Sequence, residues 1–218
     1  LASEIDQLQL FTTANRQLEE SVDGYSFKIS LQEDIWGQIS AIEKFSQNNQ
    51  KFACIHLSNA KDNAAEAQFD EEFLANSAAL ACIGAFSLSR GCLFLDDLMD
   101  VDRAHFPRHG LIDRRGNFRK AAQYVRRLLP TLARKNNSEK VILSNISNGQ
   151  NWFSSDFSQA KNCYRLILCR SRDATLDWSK VNSENPSFKS CTDLLSGKYI
   201  RKNDISSKVT NGVLLHLN

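Results

Sequence analysis

The segment GCLFLDDLMDVDRAHFPRHGLIDRRGNFRKAAQYVRRLL, residues 91–129, decides the fold predicted for this chain. Its apolar start, Cys92–Leu95, predicts a buried strand, and four carboxylates follow it: Asp96, Asp97, Asp100 and Asp102. A loop rich in histidine and arginine comes next, and then a basic amphipathic helix. Carboxylates at the C-terminal end of a core strand are typical of sites in α/β barrels and in open α/β sheets.

Helical and strand periodicities alternate on the N-terminal side of this segment. Helices are predicted over residues 4–20, 35–46 and 69–87, and strands over 25–31 and 52–57. With the last helix, the order becomes α–β–α–β–α–β–loop–α, which is typical of parallel βαβ units. In that last helix Asn117 is the predicted N-cap, and Pro130 is expected to end or kink the helix.

The pattern changes near residue 136, where helical periodicity disappears. Short strands are predicted over residues 140–146, 164–169, 174–178, 191–200 and 213–217, separated by loops rich in serine and asparagine. We therefore predict an α/β unit over residues 1–135 followed by an antiparallel, β-sandwich-like domain over 136–218. Three strands cannot close a (β/α)8 barrel, which typically needs about 250 residues. The first unit would be the last third to half of such a barrel, completed by an upstream segment or another chain.

Composition excludes few functional classes. The net charge is +2, but residues 103–135 hold ten Lys or Arg and one acid, Asp113. This stretch is either a solvated helix face or an anion-binding surface, and we do not expect nucleic acid as a partner. The longest apolar run, Ala78–Phe86, is too short to cross a bilayer, so we expect no membrane association.

The six cysteines show no CxxC and no metal-finger spacing, so we predict no metal site and no disulfide scaffold. We also predict no cofactor. Cys54 and Cys92 lie in strand-like runs, where a reduced thiol behaves as a small buried hydrophobe. The chain starts at Leu1 without a signal-like segment, as a piece of a longer protein would. N-x-S sequons at Asn136 and Asn145 suit secretion, but the compartment stays open.

Three parts of the sequence resemble a known family. Gly110–Ala121 (GLIDRRGNFRKA) resembles the segment that leads into the closing helix of the barrel in clan A glycoside hydrolases, the group that holds β-glucuronidases, β-xylosidases and heparanase. Gln68–Phe73, opening into an Ala-rich stretch, is similar to the family's penultimate helix. The tail, with Asp193–Lys198 and Gly212–Leu215, looks like the sandwich that follows such barrels. The resemblance implies a partial barrel that binds or hydrolyses a glycan.

The chain departs from the family in two places. Phe118 stands where the pattern has proline, and the run Phe52–Asn59, which matches the strand that ends in the family's nucleophilic Glu, has no carboxylate. A retaining mechanism needs two carboxyl groups about 5–5.5 Å apart. Another carboxylate must therefore serve, or the protein binds a glycan without turnover. For hydrolysis we predict Glu33 together with Asp97 or Asp96, with the acid/base residue on an upstream strand as the alternative.

Further polar residues follow the predicted strands and could bind a substrate. Those we expect to do so are His56, Asp100, His105, Arg108 and His109. Each has a structural alternative. Asp34, the acid next to Glu33, could cap the following helix. The aspartates after the third strand could instead neutralise the basic loop, and the histidines could form hydrogen bonds within the fold.

Two other functions compete with the carbohydrate hypothesis. Asp96-Asp97-x-x-Asp100 is similar to the DDxxD motif with which prenyl-diphosphate synthases hold Mg²⁺, although that fold is all-α and needs a second Asp-rich motif. Alternatively, the protein is a non-catalytic scaffold whose basic stretch 103–135 docks an acidic partner. The chain has no Gly-rich phosphate loop, G-x-S-x-G or HExxH, so nucleotide binding, serine hydrolysis and zinc proteolysis lack support.

Overall fold

The structure is a computed structural model. It describes residues 20–29, 35–57, 71–95, 98–100, 110–133, 141–148, 152–169, 176–177, 188–200, 208–209 and 211–217.

Strands and helices alternate in the first half of the chain. The elements are β1 (Gly24–Ile29), α1 (Ile35–Asn49), β2 (Phe52–Leu57), α2 (Glu71–Ser87) and β3 (Gly91–Leu95). The strands form a parallel sheet in the order β1-β2-β3, and the last residues of all three strands are in register at one edge. The predicted alternation from the first strand onward and the predicted strand at Cys92–Leu95 are confirmed, whereas the helix predicted over residues 4–20 lies almost wholly outside the described residues.

The two faces of this sheet differ because strand side chains alternate. Phe27, Ile55 and Leu57 are buried on the face that packs against α1 and α2. The opposite face, which we call the outer face, carries half-buried or exposed side chains: Ser26, Lys28, Cys54, His56, Cys92 and Phe94. Parallel sheets are usually buried on both faces. Within the described residues, the outer face is the more accessible of the two.

α3 (Lys120–Leu132) follows β3 after a turn, as predicted, but its ends differ from the prediction. Arg119, not Asn117, is the N-cap, because the amide groups of Asn117 bind Asp113 in the preceding turn. The helix does not end at Pro130 but continues to Leu132. Proline in the last turn removes a single N–H donor, so the helix can continue past it.

The second half of the chain is antiparallel. Its strands are β4 (Ile142–Asn148), β5 (Trp152–Gln159), β6 (Asn162–Cys169), β7 (Leu176–Asp177), β8 (Phe188–Asp193), β9 (Tyr199–Ile200), β10 (Lys208–Val209) and β11 (Val213–Leu217). Six form one sheet in the order β4-β5-β6-β11-β8-β9, and β7 pairs with β10. β5 was not predicted. The single strand predicted over 191–200 is two strands joined by a turn, in which Gly197 has a φ of 70°.

The helices lie between the two sheets. α2 contacts β2 and β3 on one side and β6 on the other. Trp36 of α1 stacks on Phe153 of β5, with ring centroids 6.0 Å apart. One continuous cluster of buried apolar side chains therefore runs from Ile55 of the parallel sheet through Ile83 of α2 to Leu168 of the antiparallel sheet. This position explains why α2 is apolar nearly all round from Ala78 onward, since a helix that packs between two sheets has little solvated surface there.

The other face of the six-stranded sheet carries a second buried cluster: Ile167, Cys169, Phe188, Cys191, Val213 and Leu215. The sheet is thus buried on both faces, as a sandwich requires, but the sandwich itself stays a prediction, and so does closure of the parallel strands into a barrel. The predicted boundary at 135/136 lies outside the described residues. No described helix is long and apolar enough to cross a membrane.

Candidate functional site

The structure describes two of the predicted site residues, His56 on β2 and Asp100 beyond β3. The other predicted site residues lie outside the described residues: Glu33, Asp96, Asp97, His105, Arg108 and His109. Their roles stay predictions. The structure does show the edge of the sheet near which we predict Glu33, Asp96 and Asp97 to lie, because β1, β2 and β3 end together there.

His56 lies in a row of three side chains across the outer face. Lys28 of β1, His56 of β2 and Phe94 of β3 are partners in the parallel register, so their side chains project from the same face. With neighbouring strands about 4.8 Å apart, the row spans about 10 Å. Phe94 is 59% exposed, Lys28 is exposed and His56 is half-buried. The row offers a cation, an imidazole and an apolar ring one residue before the C-terminal ends of the strands.

The carboxylate of Asp100 is bonded to two other residues of the protein. It is buried, and one carboxylate oxygen accepts a hydrogen bond of 2.9 Å from the backbone N–H of Gly110. The other carboxylate oxygen lies 2.5 Å from a guanidinium nitrogen of Arg119. Gly110 also approaches closely, since a Cβ there would lie 2.6 Å from the backbone nitrogen of Asp100. These contacts tie the chain after β3 to the start of α3, and ligand binding by Asp100 stays a prediction.

The run that carries the family resemblance forms a compact turn before α3. One carboxylate oxygen of Asp113 accepts hydrogen bonds from the backbone N–H groups of Arg115 and Asn117, both 2.8 Å long, and the other accepts one from the Asn117 amide. The Asn117 side-chain hydrogen bond and the backbone hydrogen bonds lower the pKa of Asp113. Asp113 is thus an organiser of the turn. Gly116, with a φ of 83°, completes it.

Several cations in the described part of the basic stretch have partners within the chain, and three of them make polar contacts with other elements. Lys120 pairs with Glu72 of α2, and both side chains are largely buried. Arg119 pairs with Asp100, and Arg127 donates a hydrogen bond of 3.2 Å to the carbonyl of Ser196. These cations join α3 to its neighbours. They are therefore not part of a free docking surface.

Sequence reasoning did not identify Lys28 and Phe94 as site residues. Lys28 looked like an ordinary exposed position in an alternating strand, and Phe94 like a core residue in an apolar run. The register of the parallel strands identifies them, because it places Lys28 and Phe94 beside His56, and this register is seen only in the structure. Among the described residues, no group of three or more His, Cys, Asp or Glu could hold a metal ion.

No protein-family model and no curated protein matches the chain. A family 39 glycoside hydrolase from Bacteroides cellulosilyticus WH2 is similar over 90% of this chain and 44% of its own, at 10% identity and a TM-score of 0.49. The maltogenic α-amylase AmyB from Thermotoga neapolitana is similar over 99% and 63%, at 11% identity and a TM-score of 0.35.

An α-amylase from Geobacillus thermoleovorans, in complex with acarbose, is similar over 84% of this chain and 42% of its own, at 10% identity and a TM-score of 0.39. This chain thus spans between 42% and 63% of the length of these three solved chains. At these identities and TM-scores the likeness assigns neither a family nor an activity. What the described residues define is a protein with a parallel α/β unit followed by an antiparallel sheet.

Proposed function

We propose that this chain is the C-terminal part of a glycoside hydrolase-like, carbohydrate-active protein that binds a glycan at the C-terminal edge of β1, β2 and β3. The observation that carries the proposal is the Lys28–His56–Phe94 row on the outer face. Ligand sites in parallel α/β folds lie at this end of the strands. The resemblance of Gly110–Ala121 to clan A glycoside hydrolases supports the same ligand class.

The chemistry of the row suits a sugar. A pyranose presents an apolar face of C–H groups and a rim of hydroxyls, so it needs one apolar surface and several hydrogen-bonding groups. Phe94 supplies the exposed ring, while Lys28 and His56 supply polar groups on the neighbouring strands. A few polar groups beside an aromatic surface are the usual composition of a small-molecule site. His105, Arg108 and His109 are proposed to bind the same ligand from the loop after β3.

Hydrolysis requires a pair of carboxylates that the row does not contain. We propose Glu33, which follows β1, and Asp97 or Asp96, which follow β3, as this pair. Glycan binding without turnover is the second form of the proposal, because the run that matches the family's nucleophile strand has no carboxylate. The separation of the two carboxyl groups would decide the stereochemical outcome, since retention needs about 5–5.5 Å and inversion about 6.5–9.5 Å.

The proposed partner that completes a barrel would pack beside β3. Within the described strands, β3 pairs with β2 alone. A cleft of about 480 Å³ lies beside its other edge and is lined by apolar residues, among them Leu93, Leu95, Val125 and Leu129. An upstream segment or a second chain that added a strand there would bury this surface and pair the free edge.

The competing functions find less support. Prenyl-diphosphate synthases are all-α, whereas this chain has a strand at Gly91–Leu95 and a six-stranded sheet. Both carboxylate oxygens of Asp100 are held by Gly110 and Arg119, so the third aspartate of the DDxxD motif would have to leave these partners to bind Mg²⁺. The scaffold hypothesis would rely on Arg114, Arg115 and Arg126, which are exposed although Arg126 lies 5.6 Å from the centroid of the Phe118 ring.

The test is glycan-array binding of the protein with Phe94→Ala, compared with Phe52→Ala. Phe52 lies on the same face at the opposite end of β2 and is 43% exposed, so it is a matched control. We expect Phe94→Ala to lose binding at least tenfold and Phe52→Ala to keep it. Absence of binding by the wild-type protein, or equal loss in both variants, would contradict the proposal.

Turnover is tested with aryl glycosides. If the protein hydrolyses one, Glu33→Gln and one of the two variants Asp97→Asn and Asp96→Asn should each abolish turnover while retaining glycan binding. Binding that persists in a wild-type protein without turnover supports the second form, a non-catalytic glycan-binding protein.

A further inference from the structure

Two cysteines lie side by side on the outer face. Cys54 of β2 and Cys92 of β3 are partners in the parallel register, and their sulfur atoms are 3.1 Å apart. Both side chains are half-buried, so the expectation that they behave as buried core hydrophobes is wrong. Among the other cysteines, Cys82, Cys169 and Cys191 are buried and Cys163 is exposed.

The backbone geometry at this pair suits a disulfide. Register partners on neighbouring strands have Cα atoms about 4.8 Å apart, which falls within the range of about 4.4–6.8 Å that disulfides span. The sulfurs need to approach by about 1 Å to reach the bond length of about 2.05 Å. Both side chains project from the same face, so rotation about the Cα–Cβ bonds can supply this movement without a shift of either strand.

We propose that Cys54 and Cys92 form a reversible disulfide across β2 and β3 when the protein meets a low-molecular-weight disulfide such as oxidised glutathione. One cysteine loses its proton, and its thiolate attacks the glutathione disulfide, which gives a mixed disulfide and releases one glutathione thiolate. The second cysteine then attacks the protein sulfur of the mixed disulfide and releases the other glutathione. The two protein thiols are oxidised, and their protons end on the two glutathione thiols.

Two features of the site set its behaviour. Half-burial admits a small oxidant, while the close second sulfur resolves the mixed disulfide before a glutathione adduct accumulates. Burial, the hydrogen bond to Cys92 and the charge on Cys92 raise the pKa of the Cys54 thiol to about 12. A high pKa keeps the thiolate scarce at neutral pH, so we expect oxidation to be slow there and to accelerate as the pH rises.

The bond would link the edge strand β3 to β2 next to the Lys28–His56–Phe94 row, since Cys54 and Cys92 each precede the row by two residues on their strands. Oxidation would therefore hold two of the three strands of the row together. The redox proposal does not depend on the glycan proposal, and its test uses no carbohydrate.

The test uses the full chain with Cys163→Ser, which removes the exposed thiol. The reduced protein is incubated with oxidised glutathione at pH 8, blocked with N-ethylmaleimide and analysed by peptide mass spectrometry. We expect two of the five remaining thiols (six less Cys163) to be lost, a peptide linked through Cys54 and Cys92, and no retained glutathione. Dithiothreitol should restore both thiols.

Cys54→Ser and Cys92→Ser on the same background are the matched controls, with circular dichroism to confirm that each variant folds. Each should lose the linked peptide and retain one glutathione on the remaining cysteine. The proposal is overturned if the native protein keeps all five thiols, accumulates a glutathione adduct without a link, or forms the link only in denaturant.

Discussion

Replacing Tyr124 by phenylalanine should destabilise the fold although it removes a single oxygen atom. Tyr124 lies on α3 and is fully buried, and its hydroxyl accepts a hydrogen bond of 2.6 Å from the backbone N–H of Gly212, just before β11. Gly212 can approach because it has no side chain; a Cβ there would lie 2.8 Å from the Tyr124 ring. The hydrogen bond thus joins the last helix of the α/β unit to the antiparallel sheet.

The magnitude follows from what each group loses. Phenylalanine keeps the ring and nearly the same volume, so no cavity opens, and the cost of about 3–5 kcal/mol for truncating a buried aromatic side chain does not arise. The N–H of Gly212 is buried with its residue and would lose its acceptor, which costs about 1–3 kcal/mol. We therefore expect Tyr124→Phe to lower the free energy of unfolding by about 1–3 kcal/mol.

Urea denaturation followed by tryptophan fluorescence measures this change as a shift of the midpoint at constant slope. Tyr199→Phe is the control, because Tyr199 is 60% exposed and its hydroxyl donates a hydrogen bond of 3.2 Å to the carbonyl of Lys189, which water can replace. The control should change stability by less than about 0.5 kcal/mol. Equal stability of Tyr124→Phe and the wild-type protein would refute the reasoning.

Two other changes test buried electrostatics. Lys120→Met should lower the free energy of unfolding by about 3 kcal/mol or more, because it leaves Glu72 as an unpaired buried charge. Adding Glu72→Gln should restore most of this loss. Urea denaturation of the single and double variants measures the loss and its recovery, and a double variant no more stable than the single one would contradict the pairing. Lowering the pH from 7 to 5 should destabilise the wild-type protein more than His216→Phe. Burial and the nearby Lys189 charge lower the pKa of His216 below its ordinary 6.5, so the unfolded chain takes up the proton first and stability present above pH 6.5 is lost as the pH falls. Unfolding midpoints at the two pH values test this, and equal losses in both proteins would show that His216 does not titrate as expected.

The α/β unit was predictable because its apolar periodicity and its tertiary environment agree. β2 has the predicted bounds, Phe52–Leu57, since buried and less buried residues alternate along it. The position of α2 was predictable from its length and apolar character. Its location between two sheets was not predictable, because the sequence of α2 does not indicate which elements pack against its second side.

β5 was missed because its sequence gives a mixed signal, in which three aromatic residues favour a strand and the polar residues between them do not. Trp152–Gln159 contains no valine, isoleucine or threonine and has three serines. Tertiary context overrides this preference, since β5 pairs along its full length with β6 and also pairs with β4. Cross-strand contacts compensate for the weak propensity: Phe157 stacks on Tyr164 at 5.4 Å, and Asp156 pairs with Arg165 on the neighbouring strand.

The candidate site was only partly accessible to sequence reasoning. His56 was proposed because it lies near the end of a predicted strand, where a neutral imidazole could orient a substrate or shuttle protons, and its role stays a prediction. Lys28 and Phe94 are unremarkable within their own strands and become a site only through parallel pairing, which no local pattern encodes. The acidic cluster predicted Asp100 as a ligand-binding residue but did not predict its partners, since its oxygens bind Gly110 and Arg119, and ligand binding by Asp100 stays a prediction.

The helices lie between the two sheets, so each sheet contacts them on a different side. α2 packs closely against α1 because Gly84 has no side chain; a Cβ there would lie 2.1 Å from Ile39 of α1. Asn76 on α2 donates a hydrogen bond of 2.7 Å to the carbonyl of Cys169, which fixes α2 against β6. The outer face of the parallel sheet points away from these helices and hence from the six-stranded sheet. Within the described residues, the antiparallel sheet therefore contributes by burying the far side of the helices, while Lys28, His56 and Phe94 lie on the outer face of the parallel sheet, on the opposite side of these helices.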